Sequence, residues 1–164
     1  MTKMTSKGCR LMSENLKITR ASKNDSELVF LLTKELMAHH KMLNVFTMSI
    51  SKLEKLIEND CIKSYIAYSN NEPIGILNFF YMYTTFTGEK ILYIEDLYVK
   101  EQYRGSGAGK SFLDCVKEIA KENHCEKIEL KCAQWNTASG KFYEKIGFVP
   151  DKEWITYTLD KSKF

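Results

Sequence analysis

The chain has 164 residues, 44% of them apolar and only two of them proline, and its 24 basic and 21 acidic side chains leave a formal charge of +3. That size and composition describe one globular domain able to bury roughly two-thirds of its unfolded surface, and the near-balanced charge lacks the clustered basic footprint of a nucleic-acid binder. Five cysteines (Cys9, Cys61, Cys115, Cys125 and Cys132) contain no C-x-x-C pair, which argues against a disulfide framework or a zinc site and makes a reducing cytoplasm the expected setting.

Residues 1–15 are polar and patternless, with Lys3, Lys7 and Arg10 but no apolar run behind them, so neither a signal peptide nor a membrane span is expected. With Met4 and Met12 inside it, this stretch reads as an N-terminal extension to a domain at 16–164. From Leu16 the run Leu-Lys-Ile-Thr-Arg alternates like an edge strand, and Asn24, Asp25 and Ser26 supply helix-capping residues. Leu28, Leu31, Leu32, Leu36 and Met37 then fall at helical spacing to about residue 42, and a shorter helix runs from about Ser51 through Leu53, Leu56 and Ile57.

Residues 62–68 and 74–83 read as strands around a turn at Asn70 to Pro73, followed by a second turn at 84–88 and a long strand at 90–99. Phe112, Leu113, Val116, Ile119 and Ala120 mark the buried stripe of a helix reaching about Asn123. A strand at 127–132, a helix at 136–145 capped by Gly147, and a strand at 154–159 complete the chain. The order β-α-α-β-β-β-α-β-α-β predicts a mixed sheet with helices on both faces, whose ligand would sit where antiparallel hairpins give way to parallel crossovers.

At that junction, Gly105, Gly107 and Gly109 recur at every second position, letting backbone N–H groups at a helix start approach a phosphate. A Walker loop would need glycine at Arg104, and a dinucleotide motif would need it at Lys110 or Phe112, so both registers fail. What fits is Arg104-x-x-Gly107-x-Gly109 between a strand and an amphipathic helix. In these residues the chain resembles the GNAT superfamily of acyl-CoA-dependent N-acetyltransferases, over about residues 16 to 160. The segments Leu92 to Val99, Tyr103 to Gly109, Trp135-Asn136 and Phe142-Tyr143 look like its spermidine/spermine and thialysine branch.

The resemblance implies an α/β (mixed α+β) fold with about seven strands flanked by about four helices, a homodimer, and acetyl-CoA as cosubstrate with no metal. It implies that Arg104, Gly105, Ser106, Gly107, Ala108, Gly109 and Lys110 hold the CoA pyrophosphate and that Leu97, Tyr98 and Val99 pair by backbone with the pantetheine arm. Asn136, Ser139 and Tyr143 would complete the cofactor site.

Acetyl transfer needs a neutral amine, whereas an alkylamine of pKa about 10.4 is mostly protonated at neutral pH, so a base is required. Glu95 and Asp96 lie mid-strand, and alternation sends Glu95 to the face of Leu97 and Val99 and Asp96 to that of Ile94 and Tyr98. Two carboxylates in one central strand demand a cleft, a bulge or a cation. The resemblance makes Glu95 the base, through water, and a holder of the cationic amine, with Asp96 and His40 as further substrate-side candidates.

Asn136, Ser139 and Tyr143 fall at i, i+3 and i+7 on a polar stripe apart from Ala138, Phe142 and Ile146. The Tyr143 phenol is thereby free to protonate the departing CoA thiolate, the role the family gives a tyrosine at this place. A backbone N–H near Leu97 would polarise the thioester carbonyl. His39 and His40 point about 100° apart on a helix, which does not suit a metal, and Cys125 and Cys132 read as small core residues.

Polyamine members of the branch carry an acidic residue on the first helix where this chain has His39, His40 and Lys41, a departure that counts against a long polycation and sets a smaller amine, a diamine or a thialysine-like amino acid, level with a polyamine as the expected substrate. Acetylation of a protein N-terminus or lysine is an alternative, and a non-catalytic acyl-CoA-binding module is one of another class.

Overall fold

The alternating run Leu16–Arg20 does form an edge strand, β1, in the computed structural model, which describes residues 15–164. The N-terminal extension, Asn15 apart, lies outside the described residues. β1 pairs antiparallel with β2 (Lys63–Ser69), which pairs with β3 (Glu72–Tyr83), which pairs with β4 (Lys90–Val99). Asn70 and Asn71 make the β2–β3 turn at φ 49° and 68°, the left-handed conformation that asparagine tolerates and a two-residue hairpin requires.

Helix α1 (Ser26–His39) starts after a short 3-10 turn. Ser22 caps that turn: its hydroxyl accepts the Asn24 N–H, and its own N–H donates to the Asp25 carboxylate at 2.7 Å. The buried stripe of α1 is Ser26, Val29, Leu32 and Leu36, while Leu31 is 49% exposed. Leucine content alone drew the stripe through Leu31; the spacing 29, 32, 36 is the one that faces the sheet. Helix α2 (Ile50–Glu58), capped by Ser49, adds Leu53 and Ile57, and both helices cover Ile66 and Ile76 on one sheet face.

Helix α3 (Ala108–Glu122) covers the other face with Phe112, Leu113, Cys115, Val116 and Ala120, and delivers the chain to β5 (Cys125–Leu130), parallel to β4. Its packing explains Gly75. A Cβ there would lie 2.4 Å from the Tyr98 carbonyl oxygen and 3.2 Å from the Phe112 ring. Gly75→Ala is therefore expected to destabilise the fold by about 2 kcal/mol in a denaturant titration. Gly140→Ala, where nothing lies within 4 Å of the added carbon, is expected to be neutral or stabilising.

After Lys131 the chain passes into a second compact unit, which holds helix α4 (Thr137–Ile146) between an Asn136 N-cap and Gly147, at φ 106°, as C-cap. Among the described residues the sheet has five strands in the order β1-β2-β3-β4-β5, against the about seven the resemblance implies. The expected strand at 154–159 does not form, and Trp154, Ile155, Tyr157 and Leu159 are exposed. Alternation gives such a segment two faces, but only a hydrogen-bonded neighbour makes it a strand. Cys132 is exposed and Cys125 partly buried, so neither is the core residue expected; Cys115, on α3, is the buried one. Among the described residues no helix is long and apolar enough to cross a membrane.

Candidate active site

The β3–β4 ladder holds the first element of the site. Asn78 pairs with Asp96, but the next residue, Phe79, pairs with Ile94, so Glu95 is an extra residue with no partner in the register. This is a β-bulge, which re-aims side chains at one point of a strand. It is one of the three ways the sequence allowed two adjacent carboxylates to be accommodated. Strict alternation is broken: Tyr93, opposite Phe80, and Asp96, opposite Asn78, now stand on the same face, under α1. Glu95 is exposed at the bulge.

Asp96 is half-buried. Burial pushes its carboxyl above the usual range, a 2.8 Å hydrogen bond donated by Asn78 Nδ2 pulls it down, and the Glu95 charge pushes it up again. One step along the same face, the Tyr98 hydroxyl donates to Glu35 of α1 at 3.3 Å, and Lys100 Nζ lies 3.9 Å from the same carboxylate. The first helix thus does present an acid toward β4, one turn before His39. His40 caps the C-terminal end of α1, and burial, then the neighbouring His39, lowers its pKa and favours the neutral ring.

Backbone geometry supplies the second element. β5 pairs with β4 only as far as Ile94 opposite Leu130, so no described strand follows β4 along that edge beyond Ile94. Lys100 N–H donates to the Ile74 carbonyl of β3 at 2.8 Å. By antiparallel alternation Tyr98 also directs its peptide groups at β3, while Leu97 and Val99 direct theirs at the free edge. The Val99 carbonyl accepts from Arg104 Nε there at 3.2 Å. An extended ligand with amide groups can pair with this edge, and the Leu97 N–H is a donor held ready on it.

The third element is the loop after β4. Gly105 and Gly107 have φ 80° and 90°, and Gly107 is the N-cap of α3, so these two use the conformational freedom of glycine, whereas Gly109 lies inside the helix. The Ser111 N–H closes on the Gly107 carbonyl at 2.9 Å, leaving the amides of 108–110 ahead of the first helical bond and directed out of the helix end. Lys110 Nζ pairs with Asp114 at 2.6 Å and so extends along the helix surface. Taken together, the free edge of β4 and the amide-lined loop suit an elongated ligand with a peptide-like arm and a phosphate end.

In the second unit, Asn136 Oδ1 accepts the Ser139 N–H at 3.2 Å and so serves as helix cap. Tyr143 lies between Phe142 and Phe148, with ring centroids 5.4 and 5.7 Å away. Burial, with a lesser push from Cys132, raises its phenol to about 12. The two stripes drawn on this helix are not kept apart: Ala138 is exposed, while Phe142, Tyr143 and Ile146 are all half-buried.

Motif reading missed Asn78, Thr33, Ser64 and Glu35. The one signal for them was an asparagine inside an otherwise apolar strand, Ile76-Leu77-Asn78-Phe79-Phe80, where a polar side chain needs a reason.

These features are those of an acyl-CoA-dependent acyltransferase. The chain belongs to the acetyltransferase (GNAT) family, whose model matches residues 30–148. It is 27% identical over 150 residues to the thialysine N-epsilon-acetyltransferase of Caenorhabditis elegans, covering 90% of this chain and 93% of that one. It is 30% identical over 105 residues to the L-ornithine N5-acetyltransferase NATA1 of Arabidopsis thaliana, covering 63% and 46%. Its fold superposes with TM-score 0.73 at 20% identity on the aminoglycoside N-acetyltransferase AAC(6')-Iy in complex with CoA, covering 90% and 97%. The protein is an N-acetyltransferase with acetyl-CoA as its acyl donor.

Proposed function

We propose that the chain moves the acetyl group of acetyl-CoA to a primary amine of a small molecule with a second charged group, a diamine, a polyamine or a thialysine-like amino acid. The observation that carries this reading is the bulge, which puts an exposed Glu95 beside the Leu97 N–H on the free edge of β4. The amino-acid amines named for the thialysine and ornithine relatives support the substrate class.

In this reading Arg104 to Lys110 take the pyrophosphate of CoA on their amides, Leu97 to Val99 pair with its pantetheine arm, and Asn136 and Ser139 support that arm. Glu95 takes the proton of the bound ammonium through water, and the freed amine attacks the thioester carbonyl. The C–N bond forms as the C–S bond breaks, with the Leu97 N–H stabilising the carbonyl oxygen and Tyr143 protonating the sulfur, and the proton that the nitrogen then sheds to become the amide restores the Tyr143 phenol. Asp96 and His40 face the rest of the acceptor. A homodimer, as the resemblance implies, and a cytoplasmic setting, as the scattered cysteines suggest, are part of this reading.

The test is CoA thiol release across a panel of diamines, polyamines, lysine, thialysine, ornithine and peptides. Release with at least one free diamine, polyamine or diamino acid is expected. Release on peptides alone would make the chain a protein acetyltransferase, and acetyl-CoA binding without release on any amine would make it a binding module.

A further inference from the structure

Beneath α1, Ser64, Asn78 and Asp96 stand opposite one another across β2, β3 and β4 in an otherwise apolar layer. Ser64 and Asn78 are each 1% exposed. The Thr33 hydroxyl donates its single proton to the Val29 carbonyl at 2.9 Å, so toward Asn78 it can only accept. An ionised Asp96 also only accepts. The asparagine therefore turns its nitrogen to both, at 3.4 Å to Thr33 and 2.8 Å to Asp96. Its Oδ1, like Ser64 Oγ, is left buried without a partner among the described residues.

A leucine, of the same branched shape though larger, would avoid that buried, unpaired oxygen. What the asparagine supplies instead is a donor fixed against one carboxylate, at the register position where pairing resumes beyond the bulge. The other charged groups set toward this face are Glu95 on β4, Glu35 on α1 and Lys100 beside it, and of these Glu95 opposes ionisation of Asp96.

We propose that Asn78, steered by Thr33, is a positioning residue that holds Asp96 as a carboxylate to receive the second ammonium group of a dicationic acceptor. The inference rests on the reading that Asp96 faces the acceptor, and it places specificity for a second charge in β3, outside the glycine loop and the Glu95 segment.

The experiment compares wild type, Asn78→Leu and Thr33→Val with 1,4-diaminobutane and 1-aminobutane as acceptors, alongside carbon-13 titration of the Asp96 carboxyl. Asn78→Leu is expected to raise KM for the diamine at least about tenfold while kcat and KM for acetyl-CoA stay within about twofold, and to leave the monoamine unaffected. The Asp96 carboxyl is expected to titrate about one pH unit higher. Thr33→Val keeps the asparagine but frees its amide, so it should move both readouts the same way by less, and it serves if Asn78→Leu does not fold. An unmoved Asp96 titration would overturn the proposal, as would equal losses on both acceptors. Wild-type protein that turns over no amine would instead overturn the function proposed above, and the carboxyl titration would still decide the role of Asn78.

Discussion

Replacing Tyr143 by phenylalanine lowers kcat at least about tenfold and leaves KM for acetyl-CoA within about twofold. Phenylalanine keeps the ring that packs between Phe142 and Phe148 and removes only the hydroxyl, so the expected loss is chemical and not structural. Burial holds the phenol at about 12, above its ordinary value of 10.0. The sign matters: a raised value keeps the proton on the oxygen throughout pH 6 to 9, so wild-type activity should show no alkaline limb from this group below about pH 10.

A phenol that weak cannot hand its proton to a free thiolate in water, where a thiol titrates at about 8.5. It can do so where the departing sulfur is itself removed from water, because the same desolvation raises the thiol. The transfer is then late, completed as the C–S bond breaks. An unchanged kcat in steady-state assays would sink the acid role, and a loss confined to acetyl-CoA affinity would make Tyr143 a binding residue.

What the residues disclosed in advance was governed by local chemistry. The asparagine pair at 70 and 71 fixes a turn wherever it sits between two apolar runs, and β4 was legible to its ends because the turn at Gly88 and the loop at Arg104 bracket it. The glycine loop was legible for the same reason, since Gly105 and Gly107 adopt backbone angles that other residues avoid.

The bulge was only half legible. A Glu95-Asp96 pair announces that alternation must fail, but the skipped residue is set by the partner strand, where Asn78 and Phe79 are consecutive and their partners are not. Asn78 was silent because its role comes from Asp96, 18 residues away, and Thr33, 45 residues away. Trp154 to Leu159 failed for the opposite reason: its pattern is local and clear, but strand formation depends on a neighbour that no pattern specifies.

Glu95→Gln is expected to lower kcat/KM for the acceptor by roughly 1000-fold near pH 7.4, within the range a positioned base supplies. Glutamine has the same shape, and Glu95 is exposed at an unpaired position, so stability should change by no more than about 0.5 kcal/mol. The decisive readout is the pH profile. With its base gone, the enzyme can use only acceptor that is already neutral, roughly one molecule in a thousand at pH 7.4 for an amine of pKa about 10.4. Activity of the variant should therefore climb about tenfold per pH unit through the alkaline range and approach wild type near the amine's own pKa. If Glu95 instead serves only as a counter-charge, the glutamine variant raises KM and its profile runs parallel to that of wild type. Parallel profiles would thus remove the base from the mechanism while leaving Glu95 in the acceptor site, and converging profiles would establish it as the group that deprotonates the amine.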